Sequence, residues 1–523
     1  MLNSVDFSGR PFHFIGIGGI GMSALAYVLA KRRLPVSGSD IRLNHITQRL
    51  QDLGAHIFWS QDASNLEFFR QAEAAKSDAL TAAAVTIAAN ATNGGVAKET
   101  LAPTSQLSSS VDTALLPQVI CSTAINPANA EYRAALELGC PIFHRSDLLA
   151  ALIQDYQSIS VAGTHGKTTT SSMIGHLLLE TGLDPTIVVG GEVKAWEGNA
   201  RLGAGPYLVA EADESDGSLV KFSSQIGIVT NIELDHPDHY STLDEVISTF
   251  KTFASHCKTL IGCIDCATVR DALQPPITYS LHRESGADYT VDCVTYQANG
   301  TKAQVWEQGQ LLGELSLKLL GQHNLSNALA AVAVGRLLNL DFAKIAEAIA
   351  TFEGACRRFE YRGEYNNILF VDDYAHHPSE IRATLAAAHL QATELPTAHQ
   401  RRVIAVFQPH RYSRTQTFLA EFAESFQDAD VVVVTDIYAA GEPQPDNLTG
   451  QQVVDAIAAH HPQVVFQPSL PAVQNFLDQT LRPRDLALFL GAGNLNQIIP
   501  EVMAFQENAA KSISQERCDQ TSF

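Results

Sequence analysis

Basic residues are scarce in this chain of 523 residues: 35 Lys and Arg stand against 56 Asp and Glu, a formal net charge of −21. That surplus repels polyanions, which argues against extended nucleic acid and anionic membrane surfaces as partners. Small nucleotides remain open, because a phosphate site needs only a local nest of amides and a few cations. Cysteine is also sparse. The 8 Cys form no framework of the kind that staples small secreted domains, so the reducing cytoplasm is the expected compartment. Cys263 and Cys266 in GCIDC have redox or zinc spacing, but no second pair follows, and they read as ordinary strand-end cysteines. Long apolar runs are lacking too. The nearest, FHFIGIGGIGMSALAYVLA, is broken by Gly16, Gly18, Gly19 and Gly21, and its cations Lys31, Arg32 and Arg33 follow it. That order argues against a signal or membrane-spanning segment.

What is present is the balance of a packed protein, 46% hydrophobic and 17% charged. The length exceeds one ordinary core and predicts about three domains of roughly 150 to 200 residues. Short apolar runs alternate with Ala/Leu-rich helical stretches: HFIGI then GMSALAYVLAKR, SISVAG then KTTTSSMIGHLLLETG, RRVIAVF then TQTFLAEFAESF. This alternation predicts an α/β class with parallel sheets covered on both faces. Strand starts near residues 12, 158 and 402 divide the chain into 1–155, 156–355 and 356–505. The Ser/Thr/Ala/Asn-rich interval 70–115 reads as a surface insertion of the first domain, and 506–523 as a flexible tail.

Six sequence features carry chemistry. The cluster Gly16-Ile17-Gly18-Gly19-Ile20-Gly21 lies between a strand and a helix, with Asp40 following in SGSD. By spacing it is a dinucleotide fingerprint, yet the glycines let helix N-terminal amides approach any pyrophosphate. A UDP-sugar satisfies it as well as NAD, and a tight turn without ligand is the bland alternative. The second cluster, Gly163-Thr164-His165-Gly166-Lys167-Thr168-Thr169, is a shortened P-loop, with Val161 where the full pattern has Gly. It predicts ATP binding, with Lys167 reaching the terminal phosphates and the Thr168 hydroxyl offered to Mg²⁺. Glu211, Asp213, Glu214 and Asp216 crowd one strand end, and Asn231, Asp235, His236, Asp238 and His239 another. A hard cation beside the P-loop explains such crowding, and a solvated acidic loop is the other reading.

Asn324 and Asn327 in GQHNLSN either cap an Ala-rich helix or face an adenine. Arg357 and Arg358 in ACRRFEY are either surface cations or groups reaching a transferring phosphate. The last third places Asp372, Asp373, Tyr374, His376 and His377 at one strand end and His410, Arg411 and Arg414 at another. Two strand ends of one parallel sheet face one crevice, and two arginines there suit a carboxylate better than a second metal. A nicotinamide-dependent oxidoreductase would use the first loop but leaves GTHGKTTT unexplained; an ATP-driven switch leaves the arginine and histidine crevice unexplained.

In order along nearly the whole chain, FIGIGGIGMSALA, SGSD, AGTHGKTTT, EADESD, TNIELDH, GQHNLSN, RRFE, DDYAHHPSE, FQPHRYSRT and GAGN resemble the Mur ligase superfamily. The departures are the 70–115 interval, CSTAIN at 121–126, Asn496 after GAGN, and the tail. The resemblance implies three domains: an N-terminal Rossmann-like domain for a UDP moiety, a central P-loop ATPase, and a C-terminal Rossmann-like domain for an amino acid. It implies ATP and Mg²⁺, with UDP-N-acetylmuramate and L-alanine as substrates, in a cytoplasmic monomer or homodimer. A carboxylate is phosphorylated and the acyl phosphate is attacked by an amine; a murein peptide ligase is the related alternative. Carried over residue by residue, Gly16, Gly18, Gly19, Ile20, Gly21, Asp40, Ser122 and Thr123 hold UDP substrate. Gly163 to Thr169, Asn324, Asn327 and Arg358 hold ATP; Tyr374, His376, Arg411 and Arg414 hold the amino acid. Thr168, Glu211 and His236 are the metal ligands, and Lys167, His376 and Arg358 are catalytic. Lys251 stands at the approximate place of a carbamylated lysine in some relatives.

Overall fold

The computed structural model describes residues 4–42, 44–69, 116–393, 400–445 and 448–520, the last nine by backbone alone. The expected 70–115 insertion lies outside the described residues. Two compact units emerge, one within residues 1–155 plus 200–202, the other within 156–199 and 203–523. Three sheets are spread over them, and the chain is the three-domain α/β protein its alternation predicts.

The first unit holds β1 (Phe12–Ile15), β2 (Val36–Ser39), β3 (His56–Phe58), β4 (Gln118–Cys121) and β5 (Ile142–His144), in the order β3-β2-β1-β4-β5. Every neighbouring pair is parallel. Strands buried on both faces cannot alternate apolar with polar, which is why β1 reads FHFI and is buried throughout. Its one polar member, His13, is satisfied inside the core: Nε2 lies 2.7 Å from Glu131 and Nδ1 2.8 Å from the Ser37 hydroxyl. The order reverses between β1 and β4, the switch point at which open α/β sheets leave a crevice beyond their carboxyl ends.

The second unit carries two sheets. The larger comprises β6 (Gln157–Ala162), β7 (Thr186–Val193), β8 (Gly198–Arg201), β9 (Tyr207–Glu211), β10 (Ile226–Val229), β11 (Thr259–Cys263), β12 (Ile277–Ser280), β13 (Tyr289–Gln297), β14 (Gly300–Glu307) and β15 (Gln310–Leu317). Its order is β15-β14-β13-β12-β11-β10-β6-β9-β7-β8, parallel from β13 to β7 and completed by an antiparallel meander through β14 and β15. The helices Lys167–Glu180 and Gln322–Leu337 pack together within this core. Small residues keep the surroundings tight: a Cβ on Gly335 would meet Leu177 of the other helix at 3.2 Å, and one on Gly175 would press on Ile187 of β7 at 2.9 Å.

The remaining sheet contains β16 (Glu360–Tyr365), β17 (Ile368–Asp373), β18 (Arg402–Phe407), β19 (Val431–Val434), β20 (Val464–Phe466) and β21 (Asp485–Leu490), in the order β16-β17-β21-β18-β19-β20. Only β16 is antiparallel to its neighbour. One difference from expectation stands at the C-terminal end. Residues 506–520, read as a flexible tail, continue the helix Ile499–Gln520. The stretch QENAAKSISQER is rich in good helix formers, and Lys511 pairs with Glu507 one turn back at 2.7 Å.

Candidate functional site

At the switch point of the first sheet, the glycine loop leaves β1 and runs into the helix Ile20–Lys31. Gly16 has φ 81, in the left-handed region, so a side chain there is strained. Asp40, just past β2, accepts from the Gly18 N–H at 2.8 Å and from Arg42 N–H at 2.9 Å. The acid therefore fastens the loop itself, and a Cβ on Gly18 would meet its carboxylate at 2.8 Å. Ile20 is exposed beside Gly19. Ser122 and Thr123 follow β4 across the crevice, so the residues expected to hold the UDP substrate gather at one sheet edge.

The second glycine loop joins β6 to the helix Lys167–Glu180. Gly163 has φ 141 and Gly166 φ 79, and a Cβ on Gly163 would collide with Thr230. These two positions need glycine twice over, for conformation and for room. Lys167 lies folded back along the loop, donating to the carbonyls of Gly163 at 2.7 Å and Thr164 at 3.0 Å and to Glu214 at 2.9 Å. Burial pushes the Glu214 carboxyl up to about 7 although Lys167 pulls it down, while Glu214 and Asp213 outweigh burial and raise Lys167. The lysine is a cation held in reserve on an internal anion.

Thr168 donates to Glu211 at 3.0 Å, and the other Glu211 oxygen accepts from Gly190 N–H at 2.7 Å. A hydroxyl and a carboxylate side by side are the oxygen donors a hard cation takes. His236, the third expected ligand, faces Asp235 at 3.6 Å and Glu214 at 3.8 Å. It holds φ 54, a conformation that costs a non-glycine residue about 1 kcal/mol and tends to persist where function demands it. Lys251 is exposed on the helix Leu243–His256, without the buried setting that a carbamylated lysine beside a metal requires.

A cavity of about 220 Å³ opens beside this loop, lined by His165, Thr169, His323, Asn324, Asn327 and Arg358 among others. Gly321 caps the helix at Gln322 without a side-chain bond, and Asn324 instead donates to the Leu320 carbonyl at 2.8 Å. Capping therefore does not account for the asparagines; they line the cavity. Burial keeps the His323 imidazole at about 4, neutral and suited to a flat uncharged base.

The arginine and histidine crevice forms beyond β17 and β18. Tyr374 and His376 follow β17, their rings 5.4 Å apart, and Arg358 lies over the Tyr374 ring at 5.2 Å. His410, Arg411 and Arg414 follow β18. Arg414 is fully buried and donates through Nε to Asp235 at 2.8 Å and through Nη1 to His410 Nδ1 at 3.3 Å. Arg411, at φ 70, reaches Asp238 at 3.0 Å and Glu442 at 3.2 Å. Burial would raise Asp235, but Arg414 and the surrounding histidines outweigh it and hold it well below the usual carboxylate range. β21, which separates the two loops, is followed by Gly491, whose N–H donates to the Asp373 carbonyl at 3.1 Å, and its loop is clasped by Gln408. GAGN is thus a packing turn that brings the two loops together.

His165 joins the regions. Its Nε2 lies 3.4 Å from Glu233 and its Nδ1 3.3 Å from Glu380, and its ring lies tilted against that of His377, with centroids 4.6 Å apart. His165, Glu233 and His377 form a group compact enough for a metal ion. The arrangement is better described as an ion triad, because burial, which would lower His165, is outweighed by Glu233 and Glu380, raising it to about 9. A folded-state value above the unfolded 6.5 gives stability fully present below pH 6.5 and lost as pH rises through about 9. The apparent melting temperature of the protein will fall over that window by on the order of 5 °C more than that of His165→Asn, as read by scanning fluorimetry.

Sequence reasoning assigned no task to Glu233, Asp373 and Glu380. Asp373 is buried, raised to about 6, and accepts from Phe359 and Ala375 N–H at 2.6 and 2.7 Å. All three stand inside the quoted motifs, but only the packing of one strand end against another gives them partners.

The family model of the Mur ligase family catalytic domain matches residues 11–157, that of the Mur ligase middle domain 161–335, and that of the Mur ligase glutamate ligase domain 357–493. The UDP-N-acetylmuramate–L-alanine ligase of Nostoc punctiforme is 66% identical over 98% of this chain and 100% of its own. The one from Synechocystis is 59% identical over 96% and 98%. Among solved structures, the UDP-N-acetylmuramate-alanine ligase MurC of Thermotoga maritima is similar at TM-score 0.73 and 28% identity, covering 96% of this chain and 99% of that one. A murein peptide ligase of Psychrobacter arcticus shares the fold at TM-score 0.65 and 20% identity, over 96% and 99%.

Proposed function

Because the chain belongs to the Mur ligase family, we infer that it is an ATP-dependent ligase joining L-alanine to UDP-N-acetylmuramate in peptidoglycan synthesis. Its near-full-length likeness to L-alanine ligases favours that substrate pair over the murein peptide alternative, for which the likeness is to the fold alone. The observation that carries the reading is the meeting of two chemistries: Asp235, from the segment after β10 beside the phosphate loop, grips Arg414 of the amino-acid loop at 2.8 Å. The three-domain division proposed is 1–155 for the UDP substrate, 156–355 for ATP and 356–505 for the amino acid. No helix among the described residues is long and apolar enough to cross a membrane; a cytoplasmic setting is our proposal.

In the proposed reaction a carboxylate oxygen of UDP-N-acetylmuramate takes the γ-phosphoryl group of ATP, and ADP leaves. The alanine nitrogen attacks the acyl carbon, a tetrahedral intermediate forms, and phosphate departs as the amide closes. Carboxylate and γ-phosphate are both anions, so the first step needs charge neutralisation by Lys167 and Arg358. Thr168 and Glu211 fit Mg²⁺, with His236, which faces Glu214 and Asp235, as the further proposed ligand; the ion would supply further neutralisation at the phosphates. Arg411 and Arg414 clamp the alanine carboxylate. His376 is the base on geometric grounds: its Nδ1 faces the Tyr374 carbonyl at 2.9 Å, leaving Nε2 to take a proton from the amine; burial lowers the ring's pKa and Glu380 opposes that lowering.

Phosphate release will require ATP, UDP-N-acetylmuramate, L-alanine and Mg²⁺ together, and excess EDTA will reduce it to background. A coupled phosphate assay with single omissions reads this directly; hydride transfer from a nicotinamide without amide product would overturn the reading.

A further inference from the structure

Resting on the ligase reading, we propose that Glu380 is a positioning residue for His376, anchored on the phosphate-loop side and aiming the imidazole on the amino-acid side. Its two oxygens divide the work. Oε1 faces His165 Nδ1 at 3.3 Å and Arg358 Nη1 at 3.7 Å. Oε2 accepts from the backbone N–H groups of His376 at 3.1 Å and His377 at 3.4 Å, and lies 3.3 Å from His376 Nδ1. With Nδ1–H directed between that oxygen and the Tyr374 carbonyl, the lone pair of His376 is confined to Nε2. A base whose second nitrogen is fixed by a carboxylate is kept in the productive tautomer, and the same carboxylate stabilises the imidazolium formed when it takes the proton.

A purely structural role is the competing explanation. Glu380 is the third residue of the helix Pro378–Thr393, and its bonds to backbone N–H groups, together with the Ser379 N–H bond to His377 Nδ1 at 3.2 Å, resemble a capping box. Capping uses Oε2 alone. It does not explain why Oε1 faces an imidazole and a guanidinium from two other segments. Burial would raise this carboxyl, but His376, His165 and Arg358 outweigh it and hold it well below its usual range, so the anion persists in the folded state.

Glutamine serves a capping box as well as glutamate does, so Glu380→Gln keeps the helix start and removes the charge. Two half-reactions separate the roles. Without L-alanine, hydroxylamine attacks the acyl phosphate, releasing phosphate and leaving a hydroxamate, a step that needs neither clamp nor base. With L-alanine, amide formation needs both. In Glu380→Gln, kcat for the amide will fall about 30- to 100-fold and hydroxamate formation less than about threefold, and Glu380→Gln/His376→Asn will lose no more than His376→Asn alone. Equal loss in both half-reactions, or additive losses in the double variant, would overturn the positioning role. If the wild-type protein forms neither hydroxamate nor amide, it is the ligase reading that fails.

Discussion

Lys167→Met will lower turnover at least about 1,000-fold while leaving binding of UDP-N-acetylmuramate within about twofold, because a single cation aimed at the transferring phosphoryl group acts mainly in the transition state. The structure adds a reason for the sharpness. Lys167 is held by two loop carbonyls and by Glu214, so it is already desolvated and needs only to exchange one anion for another. Methionine fills the stem's volume and leaves Glu214 buried without its cation; that carboxyl, already raised to about 7, then takes up a proton instead of disrupting the fold. Calorimetric titration of UDP-N-acetylmuramate alongside the phosphate assay checks both halves. Loss of sugar-nucleotide binding with turnover would mean that the two glycine loops do not serve separate ligands.

Arg414→Leu has the second large effect, and it acts on stability as well as function. A fully buried guanidinium paired to Asp235 at 2.8 Å cannot be removed without stranding a buried carboxylate, a loss of about 3 to 5 kcal/mol. The kcat/KM for L-alanine will fall about 100-fold or more, since a charge-assisted clamp is lost where water is excluded. The double variant Arg414→Leu/Asp235→Leu separates the two consequences: denaturant midpoints will recover most of the stability, and alanine use will stay lost. Recovery of both would assign Arg414 to the scaffold alone.

The phosphate loop was legible in the sequence because its chemistry is local: glycines, lysine and threonine act within one strand-turn-helix, and the glycine φ values at 163 and 166 are those the pattern demands. The α/β class was legible for the same reason, through apolar strands too continuous for a sheet open on one face. Asp40 was legible only in place; its two carboxylate oxygens accept from the Gly18 and Arg42 N–H groups, which spacing alone does not reveal. Least legible were Glu233, Glu380 and the Asp235 grip on Arg414, whose partners are separated by long stretches of chain. Periodicity and spacing report what a segment does to itself, and such contacts exist only after strands from distant parts of the chain share an edge. The helix through residues 506–520 was missed for a different reason: its polar composition suits loop and surface helix alike.

The placement of β21 between β17 and β18 has a consequence for how new specificities arise. The two loops proposed to hold the amino acid hang from strands that do not pair with each other, with β21 and its GAGN turn between them. Tyr374 is therefore set by a different strand from the one that carries Arg411 and Arg414, and the loops meet where the His376 and His410 rings pack 5.9 Å apart. On the proposed reading, a substitution at Tyr374 alone can alter which amino acid is accepted while the strand that carries Arg411 and Arg414 stays in place.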